Sequence, residues 1–122
     1  MNADRKVLLV EDEVLVAALA VDALEELGFQ AIEVTTAKAA LEIASTGVAN
    51  FAFAVIDVGL PDGRGDALAA KLHALRADLP IIVATGYGPS HLDEGLLGNP
   101  RVAVLSKPYG IEQLQQAIKS VT

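Results

Sequence analysis

The sequence predicts a doubly wound α/β domain, and three observations predict it. Short apolar runs alternate with longer segments of helical period, the pattern of parallel strands joined by crossover helices. The runs lack in-and-out alternation, as FAFAVI at 51–56 shows, so both faces of the sheet must be covered. Hydrophobic residues make up 52% of the 122 positions and aromatics only 4%, so the core has to be built from Ala, Val, Leu and Ile, which suits helices packed on a sheet.

The strands are expected at residues 7–10, 31–34, 51–56, 81–84 and 102–105. Between them the helical period predicts helices over 13–27, closed by Gly28, and over 37–45, 66–77 and 111–121. The stretch 90–97 is the weakest helix, because GPSHLDEGLLGNP carries three Gly and two Pro in thirteen positions. Five strands and about five helices favour the flavodoxin-like strand order 2-1-3-4-5, with right-handed crossovers and helices on both faces. In that order the first and third strands flank the switch point, and ligands bind at the carboxyl ends of the strands.

Bulk properties narrow the partners. The net charge of −7 and the absence of a Lys or Arg cluster disfavour a phosphate backbone, so no direct nucleic-acid contact is expected. With no cysteine there is no disulfide framework or thiolate metal site, and the cytoplasm is the expected compartment. No apolar run is long enough to span a membrane. No linker, repeat or low-complexity tract interrupts the chain, so residues 1–122 are expected to form one domain with no output domain visible.

Four of the five apolar runs end directly in polar or charged residues: Glu11 and Asp12, Asp57, Thr85, and Ser106 with Lys107. In a parallel sheet these ends converge on one edge, placing three carboxylates, a hydroxyl and an ammonium in one cleft. Carboxylates so close together repel unless a cation sits among them, and an all-oxygen site with few protein ligands suits Mg²⁺. Asp12 and Asp57 are the expected direct ligands, with Glu11 acting through a water. A free oxygen of Asp57 could then attack an activated phosphorus, while Mg²⁺, Lys107 and the Thr85 hydroxyl neutralise the phosphoryl oxygens. The bland alternatives are an acidic first turn at Glu11-Asp12-Glu13, a turn-opening Asp57 in VGLPDGRG, a strand-end Thr85 and a surface Lys107.

VLLVEDE, VIDVGLPDG, VATGYG and LSKPY resemble the signature segments of response-regulator receiver domains, and the resemblance spans essentially the whole chain. It implies that Asp57 is the phosphoacceptor, Glu11 and Asp12 the acidic pair, Thr85 the switch hydroxyl and Lys107 the phosphate-binding lysine. It further implies the backbone carbonyl of Gly59 as a third metal ligand and a cis peptide at Lys107–Pro108. One position departs from the family pattern: Val104 stands where receivers usually carry Tyr or Phe. An aromatic occurs instead at Tyr87, and ATGYG resembles the branch nicknamed FATGUY, which makes Tyr87 the candidate switch residue. With the Gly- and Pro-rich segment behind it, residues 86–98 are expected to be conformationally loose and to order on phosphorylation.

From 14 to 21 the first helix has no polar side chain, so one apolar face should remain uncovered. Similar receivers present this helix to a histidine kinase or histidine phosphotransfer protein, and docking there is the corresponding expectation. Homodimerisation through the segment from the fourth helix onward is a family habit. His73 and His91 are expected to face solvent. The leading reading is a phosphoacceptor that catalyses only its own phosphorylation and dephosphorylation. The main alternative is a pseudo-receiver used only for protein contacts. An aspartyl phosphohydrolase would need a second Asp where Gly59 stands, and a flavin-binding protein would need a Ser/Thr-rich phosphate loop after the first strand.

Overall fold

The computed structural model describes residues 5–47, 51–86, 92 and 94–122. In chain order the elements are β1 (Lys6–Val10), α1 (Val14–Glu26), β2 (Gln30–Val34), α2 (Ala37–Gly47), β3 (Phe51–Asp57), β4 (Gly59–Leu60), β5 (Gly63–Arg64), α3 (Gly65–Leu75), β6 (Ile81–Thr85), α4 (Glu94–Leu97), β7 (Val102–Ser106) and α5 (Ile111–Val121). The five long strands are all parallel in the order β2-β1-β3-β6-β7. Counted without the short hairpin β4–β5, this is the expected order 2-1-3-4-5.

The unalternating strands are buried on both sides. Leu8, Val10, Ile56 and Ile81 face a cluster that α2, α3 and α4 close with Ala40, Ala44, Leu72 and Leu96. Val7, Leu9, Phe53 and Ile82 face the opposite cluster, closed by Ala20 and Leu24 of α1 and Leu114 and Ile118 of α5. Each fully buried Leu, Ile or Phe contributes about 1.5–3 kcal/mol, so the sheet is the rigid part on which loop chemistry is mounted. The Phe29 and Phe53 rings meet edge-to-face at 5.0 Å between centroids, adding a directional contact to the second layer.

Helix ends follow local chemistry. α1 stops where Gly28 takes φ +93, with Phe29 N–H donating to Leu24 O at 2.9 Å and Gly28 N–H to Glu25 O at 3.0 Å, the paired bonds of a Schellman ending. α2 is capped twice: Thr36 Oγ1 accepts from Ala39 N–H, and Asp62 in the β4–β5 turn accepts from Ala37 N–H at 2.8 Å and Lys38 N–H at 3.0 Å. α3 is tied alongside β3 at both ends, through Gly65 N–H to the O of Val58, just past the strand, at 2.8 Å and through Nη1 of Arg76, just past the helix, to Phe51 O at 2.8 Å. It ends two residues before the expected boundary, because Arg76 is already extended and its Nε pairs with Asp78.

Two expectations change in detail. Among the described residues the fourth helix comprises the four residues of α4, and of the expected positions 90–93 only Leu92, outside any helix, is described. The turn VGLPDGRG is built as the hairpin β4–β5, with Gly59 opposite Arg64 and Leu60 opposite Gly63. Among the described residues no helix is long and apolar enough to cross a membrane.

Candidate functional site

The carboxyl ends of β1, β3, β6 and β7 meet at one rim. Glu11, Asp57 and Thr85 are buried there despite their polarity, at 4%, 5% and 2% exposure, and Asp12 is exposed beside them. Oxygens of Glu11, Asp12 and Asp57 lie within 4.8 Å of one another. That spacing, with hard oxygen donors on a partly open rim, suits a small divalent cation.

Lys107 follows β7 and crosses the rim to the carboxylates. Its Nζ stands 3.1 Å from Asp57 Oδ1, 3.5 Å from Glu11 Oε1 and 2.7 Å from Glu13 Oε1. The peptide between Lys107 and Pro108 is cis, as expected. Beside this cluster opens a cavity of about 860 Å³ whose lining includes Asp57, Gly59, Thr85, Gly86 and Lys107.

The electrostatics follow from burial and crowding. Burial pushes the Glu11 carboxyl up to about 7, reinforced by the Asp57 charge and opposed by the hydrogen bond from Glu13 N–H and by Lys107. Burial opposes the charge on Lys107, yet hydrogen bonds to Glu13 and Asp57 and the attraction of Asp57 and Glu11 hold its ammonium above the ordinary lysine range. Burial pushes the Tyr109 phenol up to about 12, helped by the Glu11 charge and opposed by Lys107.

Asp57 is also fixed through its backbone. Gly65, at the start of α3, lies so close that a Cβ there would stand 2.1 Å from Asp57 O and 2.9 Å from Ile56 Cγ2. Only glycine allows α3 to approach the end of β3 in this way.

Of the residues expected from sequence, Glu11, Asp12, Asp57 and Lys107 are brought together, and Gly59 and Thr85 line the adjoining cavity. Val104 is half-buried in β7, packed against the layer that α2 and α3 cover. Tyr87 and His91 lie outside the described residues, as do residues 88–90 and 93 of the stretch 86–98. His73 is half-buried rather than solvent-facing: Nε2 lies 2.9 Å from Leu79 O, since α3 turns that side chain toward the loop leading into β6. Sequence reasoning passed over Glu13, which read as part of an acidic first turn, and Tyr109, which sits inside LSKPY.

The response regulator receiver domain model matches residues 7–119. The chain belongs to this family. As a receiver domain it is 29% identical over 121 residues to the sensor kinase CckA of Brucella abortus, covering 99% of this chain and 13% of the kinase. It is 30% identical over 118 residues to the photosynthetic apparatus regulatory protein RegA of Rhodobacter capsulatus, covering 97% of this chain and 63% of RegA. The receiver therefore spans less than two-thirds of these relatives' length. A CheY-like receiver domain from Methanospirillum hungatei superposes with a TM-score of 0.79 at 26% identity, covering 94% of this chain and 90% of that one.

Proposed function

We propose that this receiver accepts a phosphoryl group on Asp57 from a histidine kinase or histidine phosphotransfer protein and signals by a change of shape. The observation that carries the reading is the meeting of Asp57, Glu11, Asp12 and Lys107 at one rim, from strand ends far apart in sequence. Asp57 is the nucleophile: one carboxylate oxygen attacks phosphorus while the bond from phosphorus to the donor breaks, leaving an acyl phosphate. Lys107, already 3.1 Å from Asp57 Oδ1, is placed to follow the charge onto the phosphoryl oxygens. Thr85, buried at the end of β6 on the cavity wall, is the switch hydroxyl.

Mg²⁺ would be held by Asp12, Asp57 and the Gly59 carbonyl, with Glu11 through a water, and would supply Lewis-acid neutralisation of the transferring group. The half-buried Val104 and the ATGYG segment support placing the chain in the FATGUY branch, with Tyr87 as its switch residue. We place the domain in the cytoplasm, acting only on its own phosphorylation state.

Helix α1 supplies the docking face. Val14, Leu15 and Leu19 are 81%, 79% and 67% exposed, and Ala18 shares that side, whereas Ala20 and Leu24 are buried. A helical partner with an apolar stripe fits this surface, and Ala18→Glu should slow transfer from the kinase while sparing small phosphodonors.

Mg²⁺-dependent incorporation of phosphoryl from acetyl phosphate tests the reading. The wild type should be labelled and Asp57→Asn should not. Failure of the wild type to label would favour the pseudo-receiver alternative.

A further inference from the structure

An ammonium has three N–H bonds, and Lys107 meets three carboxylates. The shortest contact is to Glu13, at 2.7 Å against 3.1 Å for Asp57 and 3.5 Å for Glu11. Glu13 differs from the other two in position. Its side chain is 58% exposed, against 5% for Asp57 and 3% for Glu11. It lies outside the three-carboxylate cluster that suits a cation. It stands at the N-cap of α1, yet its side chain makes no capping hydrogen bond. It does line the cavity that opens onto Asp57, Thr85 and Lys107. The Glu13 side chain thus neither caps the helix by a hydrogen bond nor joins the cation cluster, and it lines the cavity that opens onto Asp57.

We propose that Glu13 is a positioning residue that also sets donor specificity: it ties the Lys107 ammonium in the resting domain and repels small, highly charged phosphodonors at the cavity mouth. The proposal rests on Asp57 being the phosphoacceptor. With acetyl phosphate, an Asp57 oxygen forms its bond to phosphorus as the bond from phosphorus to the acetate oxygen breaks. The electron pair leaves with acetate, and no proton is required. The new phosphoryl oxygens need a donor, and Lys107 supplies it by moving one N–H away from Glu13. The exposed partner is the one water can most readily resolvate, so it is the one released. A carboxylate at the mouth also raises the cost of bringing in an anion, more for dianionic acetyl phosphate than for the less charged phosphoramidate.

The test uses the full chain with Mg²⁺ and compares loading rates for the wild type, Glu13→Gln and Glu25→Gln. Glu25 is exposed in the last turn of α1, so its replacement removes the same charge away from the cavity. Glu13→Gln should load faster from acetyl phosphate by about threefold to tenfold at low salt, as expected for removing one charge at contact distance in a partly solvated site. The gain should be smaller with phosphoramidate and should shrink at high salt. Glu25→Gln should match the wild type. Mg²⁺ affinity, read by calorimetric titration, should fall in Glu13→Gln by no more than a few-fold, the through-space effect of one lost charge.

Equal or slower loading of Glu13→Gln would overturn the proposal while leaving the phosphoacceptor reading intact. An equal gain with both donors that salt does not touch would overturn the specificity role, and Mg²⁺ binding abolished rather than lowered a few-fold would show Glu13 to be a metal ligand instead. No loading of any form would defeat the phosphoacceptor reading and this proposal together.

Discussion

Glu11, just before α1, and Asp62, beside the start of α2, both accept backbone N–H groups near a helix start, yet their protonation is driven in opposite directions. Asp62 lies in an exposed turn, and its bonds from Ala37 and Lys38 hold its carboxyl below the usual carboxylate range. Glu11 accepts one bond from Glu13 N–H, but burial outweighs it and pushes the group up to about 7. Two charge-stabilising bonds in water make a cap. One such bond in a buried rim, with Asp57 beside it, makes a group that needs a cation. The start of α3 is a third case, in which no carboxylate but a bare glycine meets the rim, because Asp57 O already occupies the space.

The most disruptive way to probe these three starts is Gly65→Ala. The added carbon has no room against Asp57 O, so the variant should lose roughly 2–3 kcal/mol in urea denaturation and load phosphoryl poorly, because the end of β3 must shift. Wild-type stability with normal loading would show that α3 can back away from β3 freely.

Glu11→Gln gives the next effect, visible as a change in slope. The folded protein holds the Glu11 proton up to about pH 7, whereas the unfolded chain releases it near 4.5. In that window the native state binds more protons, so metal-chelated wild type should lose stability as pH rises from about 4.5 to about 7, by on the order of 2 kcal/mol from this group once solvent screening at the open rim is allowed for. Glu11→Gln should flatten that slope, and Mg²⁺ should flatten it in the wild type. Identical pH profiles for the two chelated proteins would remove Glu11 from this account.

Asp62→Ala should do least. Its lowered pKa means that its contribution is present above the unfolded value and fades as pH falls, the reverse of Glu11. A small drop in Tm at neutral pH that vanishes in acid, with unchanged phosphoryl loading, is the expected result. A large loss of loading would instead make the β4–β5 turn part of the chemistry.

The fold was legible because every long strand except β2, which Glu33 interrupts, contains a continuous apolar run, and the rim because Glu11, Asp57, Thr85 and Lys107 stand where such runs end. The hairpin β4–β5 was not, since two strands of two residues carry no period, and Gly59–Leu60 and Gly63–Arg64 read only as a turn. The fourth helix was legible only as the weakest element, from three Gly and two Pro in thirteen positions, and among the described residues Glu94–Leu97 are helical. Glu13 escaped notice because its meaning lies in a partner 94 positions away, and the sequence around it reads equally well as a helix start. The outward face of α1 was visible as a helix with no polar side, although which residues point outward needed the packing of Ala20 and Leu24.

The double attachment of α3 to β3 has a mechanical consequence. Gly65 is hooked to the strand just past Asp57, and Arg76 to its opposite end at Phe51. Strand and helix are thereby yoked like the two rails of a ladder, and a tug at the Asp57 end cannot stretch one without dragging the other. Strain created at the rim would travel along α3 as a rigid tilt, emerging at Leu75, a half-exposed apolar side chain at the far end of that helix.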